Sequence, residues 1–110
     1  MDDPRPALDA ERGRNERLLA DLERSMRDVS DARQDANSDD EHDPEGATLA
    51  WERGSLGAVR DAARQRIQQV DAALARLDAG IYGTCTVGGE PIPAARLAAV
   101  PWAATCVAHA

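Results

Sequence analysis

Two places in this chain gather residue types whose spacing can do chemistry. Near the end of the sequence, Cys106-Val107-Ala108-His109 sets a thiol and an imidazole at C-x-x-H spacing, with Cys85 upstream. A thiolate and an imidazole so placed converge on one tetrahedral ion, and Zn2+ is the ion suited to sulfur and nitrogen donors. The stretch that should complete the set, Cys85-Thr86-Val87-Gly88, ends on a glycine with no side chain to offer. Cys85, Cys106 and His109 are therefore the candidate metal ligands, and Gly88 occupies the fourth position. Three readings stand side by side. Zn2+ is held with a water or a neighbouring side chain in fourth place. Alternatively the module is metal-free and kept folded by Ile81, Tyr82, Ile92, Leu97 and Trp102, or it senses thiol oxidation through a Cys85 to Cys106 disulfide. Hydrolytic chemistry on an open zinc is set aside, because no Glu-bearing helix or pocket motif accompanies the ligands.

The second place is acidic: Asp39-Asp40-Glu41-His42-Asp43-Pro44. Asp43 suits a helix N-cap and Pro44 the first helical position, where its missing N–H needs no partner. The run is otherwise either a solvated charge cluster or a working set of carboxylates. Calcium is a poor fit. With Asp35, Asn37 and Asp39 at loop positions one, three and five, the sixth position is Asp40 instead of Gly and the twelfth is Gly46 instead of Glu.

Both places need elements to hold them. Leu8, Asn15, Leu22, Val29 and Ala36 recur every seven residues, widened by Leu18, Leu19, Met26 and Ala32. This is one apolar face on a long helix, broken where Glu11 and Ser25 fall in its second row. Beyond the acidic run, Leu49, Leu56, Ala63, Val70 and Leu77 repeat with the same period, joined by Val59, Ile67 and Leu74, and Gly80 supplies a stop. Two long amphipathic helices joined by a short connection favour an antiparallel hairpin or coiled coil. The acidic run then lies at its tip. After Gly80, glycines and prolines punctuate a piece too small to fold on apolar burial alone, the usual setting for a structural metal. The expected class is mainly α: a flexible leader over 1–7, a helical hairpin over 8–79 with its acidic tip at 37–46, and a small zinc-finger-like module over 80–110.

Composition limits the function. The chain has 110 residues, 20 acidic against 13 basic, and a net charge of -7. That balance opposes binding along nucleic acid, whose phosphates demand Lys or Arg. Trp51, Tyr82 and Trp102 are its aromatic residues, which disfavours an enzyme with a deep apolar pocket. There is no long apolar run to enter a membrane, and two cysteines make no disulfide framework, so a cytoplasmic location is expected.

Gly80-Ile81-Tyr82-Gly83-Thr84-Cys85, then Gly88-Gly89-Glu90-Pro91-Ile92-Pro93, Arg96-Leu97 and Pro101, then Cys106 with His109, resemble the C-terminal zinc finger of the DksA/TraR family of bacterial transcription regulators. The register is complete, with 17 residues between Gly88 and Cys106 as in the family's C-x2-C-x17-C-x2-C pattern. Cys85 and Cys106 keep two of its cysteine positions, and Gly88 and His109 stand at the others. Asp40 and Asp43 match the family's D-x-x-D-x-A tip, with Glu45 at the alanine position. The resemblance covers most of residues 8 to 109. It implies a monomeric, non-enzymatic regulator that binds RNA polymerase and not promoter DNA. Its hairpin would enter the secondary channel, where Asp40 and Asp43, flanked by Asp39, act near the catalytic centre. The other class consistent with the sequence is a helical interaction scaffold without polymerase activity.

Overall fold

The computed structural model describes residues 3–37 and 44–110, with side chains for 3–28, 31 and 54–110. Helix α1 spans Arg5–Asn37, α2 spans Pro44–Asp78, α3 spans Ala94–Ala99, and a single 3-10 turn covers Val107–His109. The fold is mainly α, two long helices paired as an antiparallel hairpin and followed by a small C-terminal module. The tip residues Asp39, Asp40 and Asp43 lie outside the described residues. Helix α1 begins inside the stretch expected as a leader, with Arg5 to Ala7 in its first turn.

The chain divides into two units. The first joins Met1–Asn15 to Gln65–Ala110. Here the start of α1 runs antiparallel to the end of α2, as the ion pairs Arg5 to Asp78 at 2.6 Å and Arg12 to Asp71 at 2.7 Å record. Leu8, Val70 and Ala73 are fully buried between the two helices, with Leu74, Tyr82 and Trp102 packed against them. The polar break in the stripe is satisfied internally. Glu11, its side chain only 13% exposed, pairs with Arg14 at 2.5 Å and Arg66 at 3.1 Å, and accepts a 2.9 Å hydrogen bond from Asn15 Nδ2.

The second unit is Glu16–Arg64. Leu22 and Ala63 are buried, Glu23 pairs with Arg64 at 3.1 Å, and Arg24 pairs with Asp21. Leu18 and Val59, expected on the apolar stripe, are 41% and 45% exposed. A strict seven-residue repeat drifts by about 20° per heptad on a straight helix, which turns the outer row of the stripe away from its partner. In the first unit Ala73, which the repeat did not select, is fully buried.

Helix α2 ends in a Schellman cap. Gly80 takes φ 77°, Ile81 N–H donates to Arg76 O at 2.9 Å, and Gly80 N–H donates to Leu77 O at 3.2 Å, which satisfies the last carbonyls. The module that follows encloses its own cluster of Cys85, Ile92, Leu97, Ala103 and Cys106. Ile81, expected in that core, is 53% exposed instead. The cap places it just past the helix end, and Tyr82 turns inward in its stead, donating from its hydroxyl to Pro101 O at 2.9 Å.

Candidate metal centre

Two short turns present the chemically active residues. Cys85 N–H donates to Glu90 O at 2.8 Å and Gly89 N–H donates back to Cys85 O at 3.0 Å, folding residues 85–90 into a tight knuckle. Gly89 has φ 78°, a left-handed conformation that favours glycine. The knuckle is pinned by the Thr84 to Pro91 bridge and by Ile92 N–H donating to Gly83 O at 2.7 Å. The second turn is Val107–His109, where His109 N–H donates to Cys106 O at 3.1 Å and returns the imidazole over its own cysteine. Thr86 N–H donating to Ala104 O at 2.9 Å holds the knuckle to the segment before Cys106, and Arg96 Nε–H donating to Thr105 O at 2.9 Å ties that segment to α3.

The sequence-selected trio converges. Cys106 Sγ lies 3.1 Å and Cys85 Sγ 3.4 Å from His109 Nδ1. A fourth group joins them that sequence reasoning did not select: Glu90 Oε1 lies 2.7 Å from both Cys106 Sγ and His109 Nδ1. One donor atom from each of Cys85, Glu90, Cys106 and His109 falls within 4.8 Å of every other. Gly88 supplies only its backbone, its N–H donating to Cys85 Sγ at 3.4 Å.

Electrostatics bind the four into one titrating set. Burial pushes the Cys85 thiol up, but hydrogen bonds from Gly88, Cys106, Val87 and His109 outweigh it and bring the thiol down to about 7. The hydrogen bond to Glu90 and then burial raise Cys106. The same bond from Cys106 leads in lowering Glu90, and the bond to Cys85 leads in raising His109, with the Glu90 charge assisting. These groups share protons at close range, as ligand sets do before a cation replaces the protons.

Residues 80–108 match the family model described as the prokaryotic dksA/traR C4-type zinc finger. The C-terminal module is thus similar to the finger of the DksA/TraR family. Among its relatives, the general stress protein 16O of Bacillus subtilis is 35% identical over 68 residues, 62% of this chain and 42% of that protein. The RNA polymerase-binding transcription factor DksA of Caulobacter vibrioides is 47% identical over 49 residues, 44% of this chain and 34% of that protein. The chain thus spans less than half the length of the curated relatives it matches. The solved structure of transcription factor DksA2 from Pseudomonas aeruginosa shares the fold, with TM-score 0.55 at 24% identity, over 93% of this chain and 78% of that one.

A C4-type finger implies zinc, and the residues present fit it by donor chemistry. Two thiols, an imidazole and a carboxylate are all accepted Zn2+ ligands, and four protein donors make a closed structural site. Ligand atoms of a tetrahedral zinc lie roughly 3.2–3.8 Å apart for bond lengths of about 2.0–2.3 Å, so this cluster needs only small side-chain shifts to receive the ion. Bound zinc would cross-link the Cys85 knuckle to the Cys106 turn and stabilise the module. Glu90 stands two positions past the glycine that interrupts the cysteine pattern. A carboxylate there lies outside the C-x-x-C and C-x-x-H spacing that singles out the other three.

Proposed function

We propose that this chain is a non-enzymatic transcription regulator that binds RNA polymerase, and that Asp40 and Asp43, flanked by Asp39, are the residues it presents to the enzyme's secondary channel. The observation that carries the reading is the complete finger register, matched over residues 80–108, placed directly after two long paired helices. The Caulobacter relative, named for polymerase binding, supports the choice of partner. The charge also agrees. A chain of net charge -7 is repelled by bare nucleic acid, whereas a basic, metal-containing channel attracts an acidic probe. On this reading the finger serves as the docking body and the aspartates as the acting residues. The protein acts as a monomer in the cytoplasm, where its polymerase works.

The test is transcription in vitro with purified RNA polymerase, comparing wild type with Asp40→Asn/Asp43→Asn. Both proteins should co-purify with the polymerase, and only wild type should alter the lifetime of promoter complexes. A neutralised tip that still regulates would remove the aspartates from the mechanism. Absence of polymerase binding by wild type, accompanied by stable self-association, would replace the regulator with a helical scaffold.

A further inference from the structure

We propose that Glu90 is the fourth ligand of a metal site completed by Cys85, Cys106 and His109, and that Gly88 is what allows it in. A Cβ built on Gly88 would overlap Glu90 Oε2, and would lie 2.5 Å from His109 Cε1 and 2.7 Å from Glu90 Cδ. Real Cβ contacts are never so close. A side chain at position 88 and the Glu90 carboxylate in its present place exclude each other, and the loss of a side chain at one position is matched by entry of a donor from the other. The two residues are neighbours across the 85–90 knuckle, whose hydrogen bonds leave the Glu90 side chain on the same side as Cys85 Sγ.

The position of the carboxylate within the cluster argues further. Glu90 Oε1 contacts Cys106 Sγ and His109 Nδ1 at 2.7 Å each, so it stands within the donor ring and not beside it. Zn2+ accepts carboxylate oxygen at about 2.0–2.2 Å, close to its distance to imidazole nitrogen. Binding would displace the protons now shared among the four groups and leave two thiolates, one carboxylate and a neutral imidazole around the ion. The set is harder than four thiolates, since oxygen replaces one sulfur and nitrogen another. Its hold on zinc should therefore be weaker than that of a thiolate-richer variant, and its preference for soft cations such as Cd2+ smaller. The site does not depend on the polymerase reading, and its test measures metal and not transcription.

Purified full-length chain is loaded with Zn2+, dialysed, and its metal content measured. Affinity is then read by Co2+ titration, in which ligand-field absorption reports tetrahedral coordination and sulfur-to-metal bands report thiolate number. Wild type should retain one zinc per chain. Glu90→Gln, which keeps size but removes the anionic donor, should weaken Co2+ and Zn2+ binding at least tenfold. Gly88→Cys/Glu90→Ala, which moves the donor back across the knuckle, should recover binding with the band intensity of three thiolates, and this separates a lost ligand from a misfolded module. Wild type that retains no zinc, Glu90→Gln that binds as wild type does, or a double variant that stays folded by circular dichroism yet fails to recover binding would each overturn the proposal.

Discussion

The Glu90 carboxylate fills the volume that a side chain on Gly88 would enter. Gly88→Ala adds one methyl group there and leaves every donor atom chemically intact. Because the atoms it meets belong to the far end of the flexible Glu90 side chain and the edge of His109, the backbone can stay in place while the carboxylate swings out. The expected result is a loss of metal affinity comparable to that of Glu90→Gln, with helix content by circular dichroism unchanged. Alanine at 88 with undiminished affinity would mean that the carboxylate reaches the ion from another direction.

Leu8 and Leu18 have the same chemistry and opposite burial, fully buried and 41% exposed respectively. Removing a fully enclosed leucine forfeits its transfer free energy and leaves a cavity, whereas an exposed one is cheap to lose. Leu8→Ala should cost about 2–5 kcal/mol in denaturant unfolding, and Leu18→Ala less than about 1 kcal/mol. Equal effects would mean that the first turns of α1 do not pack on Val70 and Ala73 in solution.

The two long helices were readable because burial of Leu8, Leu22, Ala63 and Val70 follows a seven-residue period that no other element produces. The restart at Pro44 and the stop at Gly80 were readable because fixed φ and left-handed φ leave few alternatives at those positions. The period misplaced Leu18 and Val59, since a straight helix carries its outer row out of contact. At the metal centre, Cys85, Cys106 and His109 were legible from spacing along the chain. Glu90 was not, because its role depends on what position 88 lacks, and that becomes visible only when the knuckle folds one over the other.

Glu11 gives a pH-dependent test of the helix pairing. The hydrogen bond from Arg14 leads in holding its carboxyl below the usual 4.5, burial opposes, and Asn15 and Arg66 add to the lowering. A carboxylate depressed in the folded state contributes stability that is fully present above its unfolded pKa of about 4.3 and is lost as pH falls from there through the folded value. Glu11→Gln should therefore be less stable than wild type by about 1–2 kcal/mol at pH 7, with the gap closing below about pH 4. A gap independent of pH would assign the effect to packing and not to charge.

Trp102 ties the C-terminal module to the helices of its unit through its ring and its backbone. The Arg66 guanidinium lies 3.9 Å from the ring centroid, and the same side chain bonds Glu11 at 3.1 Å. Arg76 donates to Trp102 O and Ala103 O, each at 3.4 Å, and the indole packs on the Leu8, Val70 and Ala73 cluster. Apolar contact should dominate, since the ring is half-buried and a partly exposed cation over an aromatic face contributes only about 0.5–1 kcal/mol. Trp102→Ala should thus cost about 2–4 kcal/mol, and Arg66→Ala less, part of its loss belonging to Glu11. A double-mutant cycle isolates the ring contact, because the Glu11 bond is removed equally in both backgrounds. The expected coupling is about 0.5–1 kcal/mol. A coupling of zero would show that Arg66 is placed by Glu11 alone, and that packing on Leu8, Val70 and Ala73 carries the full contribution of the indole.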